Sequence, residues 1–384
     1  MDRPYELIEA SDDEELQLLS ETVRKFARAH VAVTSEESVG YRREIFDLMA
    51  KSGLTGAAIS EALGGTAMSS LATSSIIFEL SRVQLGPAIY LSVHYMVSRL
   101  IETWDRAGRH HPTLRDLAAG KSLGAFCLTE APAGSDAAAL KTQATKLTDG
   151  YRIDGEKIYI TSAGHADVYL VFARTSGEGK EGISAFVVAK DTPGISFGAH
   201  ERKMGCEGAP IASVRFDNCI VPPSALLGDE GAGYKIALSG LSAGRISIGA
   251  AACGLASASL ELATRYASER RQFGSAIAEF QGIQFMLADM YLRLRPALLL
   301  VRDAANKLDR KAPGGEERLA SSAAKCFATD AAMFVTTEAV QIFGGAGYLK
   351  DYQVERFMRD AKMLQIVEGT NQIQRSLIAR SILK

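Results

Sequence analysis

Three stretches of the chain carry different hydrophobic periods. In residues 1–120 apolar positions recur at helical spacing. Ser11 and Glu14 are spaced as a capping box, and Leu16, Leu19, Val23 and Phe26 then fall on one helical face. Ile45 and Met49, followed by Gly53, predict a second helix and its stop. The apolar run over residues 71–100 is too long for strands and predicts buried helices. Between residues 121 and 228 the period falls to two. Residues 168–172, 183–188 and 211–216 predict strands, and Asp149-Gly150 and Asp154-Gly155 are hairpin-type dipeptides. Pro222-Pro223 closes this stretch. From 229 to 384 helical spacing returns. Ile283, Met286, Met290, Leu294, Leu298 and Val301 form one stripe, which Pro296 should kink. After a loop at Pro313-Gly314-Gly315, a second stripe runs through Leu319, Ala323, Phe327, Phe334 and Ile342 to a stop at Gly344-Gly345. Helices, then strands, then helices is not the alternation of a parallel βαβ sheet. The pattern predicts an α+β, mostly helical protein with domains at 1–120, 121–228 and 229–384.

Length and charge narrow the classes. At roughly 150 residues per domain, 384 residues allow two or three domains. Lys+Arg (43) and Asp+Glu (45) nearly cancel to a net charge of −2, so there is no global basic field for nucleic acid. A hydrophobic content of 47% excludes a mostly disordered chain. No run of about 18 uncharged apolar residues is apparent, so no membrane span is expected. The first residues have no apolar signal core, and the acidic Asp12-Asp13-Glu14-Glu15 run argues against a transit peptide. The five cysteines are scattered without a CxxC pair, which argues against a zinc site and favours a reducing, cytoplasmic compartment. His110 and His111 read as a surface loop rather than a metal site. No GxGxxG follows a strand, no GxxxxGK[ST] is present, and the GxSxG serine elbow is missing. Gly228, Gly231 and Gly233 read as a loop-to-helix turn.

Four polar or glycine-rich segments remain, each at the end of an element. Phe126-Cys127-Leu128-Thr129-Glu130-Ala131-Pro132-Ala133-Gly134-Ser135-Asp136 is a strand running into a turn, whose hydroxyls and amides could also cradle a polar ring or a phosphate. Tyr159-Ile160-Thr161-Ser162 reads as a β edge, and the segment from Gln341 through Gly344-Gly345 to Tyr348 as a helix C-cap. In Ile366-Val367-Glu368-Gly369-Thr370-Asn371-Gln372, Thr370 is an N-cap for the last helix, and Glu368 alone would be a solvated loop carboxylate.

Together, in this order and spacing, these segments resemble the acyl-CoA dehydrogenases, a family of FAD flavoenzymes. Leu128-Thr129-Glu130 with Gly134-Ser135-Asp136 is similar to the first family signature. Gln341-Ile342-Phe343-Gly344-Gly345, residues 356–362 and Glu368-Gly369-Thr370-Asn371-Gln372 are similar to the later block. The resemblance covers nearly the whole chain. It implies a helical N-terminal domain, a central β-barrel-like domain and a C-terminal four-helix bundle.

By the same resemblance, Phe126, Leu128, Thr129, Gly134 and Ser135 line the flavin. Tyr159, Ile160 and Thr161 lie along it, with Thr161 near N5. Arg270, Gln281, Gln341, Ile342, Gly344 and Gly345 match cofactor contacts that cross between subunits, and Thr370, Asn371 and Gln372 complete the site. Ser135, Ser242, Arg245 and Gly369 match positions that contact the acyl-CoA. Glu368 matches the catalytic base. Gly244 stands where some members carry the base instead, and it cannot serve as one. The chain departs from the common pattern at Ala131-Pro132 (often Pro-Gly), Tyr159 (often Trp), Ser242 (often Asp) and Val367 (often Tyr). The implied activity is dehydrogenation of an acyl-CoA to a 2,3-enoyl-CoA. Electrons would go to an electron-transfer flavoprotein, and the assembly would be a soluble homotetramer. Oxidation of acyl groups on acyl carrier protein, electron transfer to oxygen, and a non-catalytic acyl-CoA or flavin-binding relative are the alternatives.

Overall fold

The structure, a computed structural model, describes residues 14–32, 40–312 and 315–383. Ser11 of the expected capping box and the Pro313-Gly314 pair lie outside the described residues. Five helices lead: α1 (Glu14–Phe26), α2 (Arg43–Lys51), α3 (Ser70–Ser81), α4 (Leu85–Trp104) and α5 (His111–Ala118). Strands follow: β1 (Gly124–Cys127), β2 (Gln143–Leu147), β3 (Gly150–Thr161), β4 (Val168–Arg174), β5 (Ile183–Ala189), β6 (Ile195–Phe197), β7 (Ile211–Val221) and β8 (Leu226–Leu227). The chain then enters α6 (Gly233–Glu269), crosses a small hairpin of β9 (Arg271–Gln272) and β10 (Ser275–Ala276), and continues through α7 (Gln281–Asp309), α8 (Glu316–Phe343), α9 (Gln353–Leu364) and α10 (Asn371–Ile382).

The predicted faces explain the first elements. Val23 is buried and Leu16, Leu19 and Phe26 pack on the core. Every residue of α3 is buried, which is why the run over residues 71–100 showed no polar face. The strands form one sheet in the order β6-β7-β3-β2-β4-β5-β8, with β1 parallel to β4. Asp149-Gly150 closes the β2–β3 hairpin as expected.

Asp154-Gly155 does not turn. It lies inside β3, where the pairing with β7 shifts register. Gly155 has φ +147°, and a Cβ there would sit 2.6 Å from Thr142 Oγ1, so the glycine lets the strand pass rather than reverse. The segment Tyr159-Ile160-Thr161 is not on an edge strand either, because β3 runs between β7 and β2. β2 reaches only to Asp154, however, and the free side of the later half of β3 takes the Thr129 carbonyl, which accepts from Ile158 N–H at 2.9 Å.

The C-terminal helices qualify one expectation and correct another in part. A helix long and apolar enough to cross a membrane is present: α6 has an 18-residue window of mean hydropathy 1.5, and 89% of that window is buried inside the protein. Its cover is α3, α4, α7, α8 and α9. Small residues permit that crowding; a Cβ at Gly254 would stand 2.2 Å from the Phe78 carbonyl oxygen. In α8 the buried face is Ala324, Ala328, Ala331, Ala332, Val335 and Ala339, while Phe327 is 41% exposed. Of the bulky residues on the expected stripe, Ile342 is buried and Phe334 packs on the core, but Phe327 is not, and the face toward α6 is lined mainly by alanines because close packing leaves little room there. The helix α7 continues through Pro296.

Candidate active site

The turn after β1 is held from beneath. Glu130 is buried and paired with the fully buried Lys157, Nζ to Oε1, at 2.7 Å. The same carboxylate accepts from the N–H groups of Lys141 and Thr142. Burial pushes the Glu130 carboxyl up, but the Lys157 charge and these hydrogen bonds together hold it below the usual range. Lys157 also donates to the Leu128 carbonyl at 3.2 Å. Leu128 and Thr129 are thereby fixed half-buried, Phe126 packs on Phe172 at 5.0 Å, and Gly134 and Ser135 stay exposed.

The later half of β3 stands beside this turn. The irregularity between Lys157 and Ile160 places Tyr159 at φ +57° with 62% of its surface exposed. Ile160 turns into the core, paired with Ala212 and accepting the Ala163 N–H at its carbonyl, and Thr161 is half-buried.

Glu368 and Gly369 occupy successive left-handed conformations, φ +55° and +86°, between α9 and α10. Gln374 Nε2 donates to both of their carbonyls, at 3.0 and 3.1 Å. The Glu368 residue keeps some exposed surface, but its Oε2 is buried and has no hydrogen-bond partner. It faces α6 at Gly244, where a Cβ would lie 2.6 Å from Oε2. Burial raises the Glu368 pKa; the nearby Arg245 and Lys325 oppose that rise. Arg245 is buried, with Nη1 on Ser322 Oγ at 3.3 Å and Nε unpartnered. Ser242 is also buried.

Of the first-turn amides of α10, Asn371 N–H goes to the Gln365 carbonyl, Ile373 N–H to Thr370 Oγ1 and Gln374 N–H to the Thr370 carbonyl. The helix start is thus largely satisfied from within, and Gln372 N–H has no partner among the described residues.

One loop links the β3 end to this region. Ser162 N–H donates to the Pro210 carbonyl, and Cys206 N–H donates to Asp360 Oδ1 at 2.6 Å from the preceding residues of that loop. Arg359 donates to the Met204 carbonyl and Glu207. Arg270, Gln281, Gln341, Gly344 and Gly345 are exposed elsewhere, near the stacked Tyr266 and Phe343 rings, while Ile342 is buried. Gln341 follows Lys325 by 16 residues on α8, which at the helical rise is about 24 Å. Within one chain these residues do not join the Glu368 region.

Three contributors escaped the motif reading. Lys157 and Lys325 are fully buried lysines, the latter flanked on α8 by the buried Ser321, Ser322 and Thr329; their signal was a charge in phase with the core pattern. Lys141 lines a cavity of about 650 Å³ beyond the Ser135 turn, with Lys146, Arg174, Thr175 and Ser176. Lys146 is paired with Glu230, and Arg174 donates to four carbonyls.

Comparison with known proteins bears on the family of the chain. Three domain families match in order: the acyl-CoA dehydrogenase N-terminal domain over residues 13–127, the middle domain over 125–219 and the C-terminal domain over 231–383. An acyl-CoA dehydrogenase of Bacillus subtilis is 43% identical over 375 residues, covering 96% of this chain and 98% of that protein. Butyryl-CoA dehydrogenase from Megasphaera elsdenii superposes with a TM-score of 0.94 at 38% identity, covering 98% of this chain and 100% of that one. A chain from a study of the electron transferring flavoprotein of Acidaminococcus fermentans superposes with a TM-score of 0.95 at 40% identity, covering 98% and 100%.

Proposed function

The chain belongs to the acyl-CoA dehydrogenase family, and from that premise we propose that it converts a saturated acyl-CoA to the 2,3-enoyl-CoA with Glu368 as base. The protein is an oxidoreductase acting on acyl-CoA with a flavin cofactor. The observation that carries the specific reading is the Glu368 carboxyl. An enclosed oxygen without a partner, opposite a helix position that lacks a side chain, is a carboxyl free to take a proton from a ligand.

The residues fit FAD. Tyr159 offers an exposed ring face, and side-chain space at Gly134, Gly344 and Gly345 is open. Phe126, Leu128, Thr129, Ser135, Tyr159, Thr161 and the backbone of Ile160 would hold the ring side, with Thr370, Asn371 and Gln372 beside it. FAD bound there would supply the acceptor for the β-hydrogen leaving as a hydride. Glu368 removes the α-proton, and its own backbone N–H, unpartnered among the described residues, donates to the thioester oxygen and so stabilises the developing enolate. Burial holds the carboxyl's pKa above the ordinary range, against the Arg245 and Lys325 charges, in the direction of an efficient base at neutral pH. Ser135 and the cationic Lys141 cavity take the polar end of the CoA, where phosphates need a positive partner. Arg245 and Ser242, both buried, support the base from α6, and Gly369 lies against the substrate through its backbone.

The electrons pass to an electron-transfer flavoprotein, a homotetramer completes the FAD site, and the setting is cytoplasmic. Of the three expected units, 121–228 carries the residues proposed for the flavin ring and 229–384 carries the base. A panel of acyl-CoAs of different length and branching, scored anaerobically by flavin bleaching, tests the reading. Bleaching by at least one thioester, reversed on adding electron-transfer flavoprotein, is expected. FAD-loaded protein that no acyl-CoA bleaches would overturn it.

A further inference from the structure

We propose that Lys325 is a positioning residue: its buried ammonium anchors the Gly369 carbonyl and the Asn371 side chain, and through them sets where the Glu368 carboxylate stands and the charge it faces. The inference rests on the reading of Glu368 as base. Lys325 lies midway along α8 with its side chain fully buried. A buried ammonium is costly unless its donors are satisfied and its charge is balanced. Here Nζ donates to Gly369 O at 2.9 Å and to Asn371 Oδ1 at 2.8 Å. Neither acceptor is a carboxylate, so the full charge is answered only at longer range.

Two successive left-handed residues, one of them a glutamate, persist only where the surroundings over-determine them. Gln374 already donates to the carbonyls of Glu368 and Gly369. Asn371 is tied in turn to Thr329, Asp330 and the Cys326 carbonyl of α8. A neutral donor at position 325 would satisfy the Gly369 carbonyl as well. What a lysine alone adds is positive charge beside the base. The groups facing Glu368 are Arg245 from α6 and Lys325 from α8, and both oppose the rise that burial imposes. The groups facing Lys325 are Cys326, Glu368, Arg245 and Asp330; burial brings its own pKa down to about 8. It therefore remains a cation at neutral pH and favours the carboxylate over the carboxylic acid.

The test uses FAD-loaded natural protein, Lys325→Gln and Lys325→Met. Single-turnover bleaching by a reactive acyl-CoA is followed against pH, together with binding of a non-reacting thioester by its perturbation of the flavin spectrum. In both variants the acid limb of the bleaching rate should move to higher pH, because losing a cation favours the protonated base. Lys325→Met, which also leaves the Gly369 carbonyl without this donor, should fall about tenfold or more further at the high-pH plateau. Thioester binding should change far less than the rate. An acid limb that stays in place in a folded variant would overturn the proposal. If Lys325→Met does not fold, the Lys325→Gln profile decides alone. If no acyl-CoA bleaches even the natural protein, the reaction assignment fails. Infrared titration of the Glu368 carboxyl, assigned by its loss in Glu368→Gln, then still reads whether removing Lys325 shifts it.

Discussion

A glutamate at φ +55° is held against its own preference, and the neighbouring Gly369 at +86° extends the strain. Strain concentrated at one carboxylate is what a preorganised base requires, and it yields two predictions at the scale of single residues. Glu368→Gln keeps the shape but cannot accept a proton, so FAD and thioester binding should persist while bleaching falls about a hundredfold or more. The same variant should gain stability with pH. A carboxyl whose pKa is raised by burial contributes its full stability where it is protonated and loses it as pH rises through the raised value. The melting temperature of Glu368→Gln relative to the natural protein should therefore climb from pH 4 to pH 8; a flat difference would mean that the carboxyl is not enclosed. Gly244→Ala would place a methyl 2.6 Å from Oε2 and 2.9 Å from Cδ. The carboxylate is the far end of a flexible chain and can swing aside, so the fold should survive. A displacement on the order of 1 Å in a reacting group can cost up to about a hundredfold, and anaerobic bleaching would measure it.

At the scale of elements, α9 clamps the loop that ends near β3. Asp360 is buried and accepts the Cys206 N–H, a Cβ on Gly205 would stand 2.6 Å from its Oδ1, and Arg359 reaches the Met204 carbonyl. Burial brings the Asp360 pKa up to about 6, against the hydrogen bond and Arg356. Its protonated form thus favours the fold, and that contribution is lost as pH rises through about 6. Asp360→Asn retains an acceptor without the ionisation. Its stability relative to the natural protein should rise by about 1.4 kcal/mol between pH 5 and 8, because pH 5 lies about one unit below the folded pKa and each tenfold change in proton affinity on folding is worth about 1.4 kcal/mol; denaturant melts at both pH values would measure it. This clamp marks the limit of what the chain disclosed in advance. Helices were legible because Val23 and Ile45 fall on buried faces at helical spacing; residues 211–216 alternate buried with outer positions, whereas residues 168–172 and nearly all of 183–188 are buried on both faces and were legible by their β-branched and aromatic residues. Asp154-Gly155 misled because a glycine that lets Thr142 approach carries the same letters as one that turns. The α8 face misled in part because alanines mainly line the side toward α6. Lys157 and Lys325 were passed over because periodicity counts a lysine as outward, whereas these two are satisfied by carbonyls and side chains from distant segments that no local pattern contains.

For the whole molecule the decisive fact is distance. Arg270, Gln281, Gln341, Gly344 and Gly345 gather at an exposed end, roughly 24 Å along α8 from Lys325 by helical rise. Phe273 there is 97% exposed and Tyr348 87%. An isolated chain would leave those large apolar surfaces in water and its proposed cofactor contacts divided between two regions. The proposed second copy, laying this end against its neighbour's FAD, would resolve both problems at once and would tie cofactor retention to assembly. Arg270 has no side-chain hydrogen bond among the described residues, so its guanidinium is available to a diphosphate. A charge-assisted hydrogen bond contributes about 1.5–3 kcal/mol, so Arg270→Ala should weaken FAD binding by roughly tenfold or more. Removing FAD from the natural protein should shift sedimentation towards smaller species, because a ligand shared across an interface stabilises the assembly by linkage. Restoring FAD should reverse that shift in the natural protein and do so less completely in Arg270→Ala. A stable FAD-loaded monomer would place every contact to the cofactor within one chain and exclude the shared site.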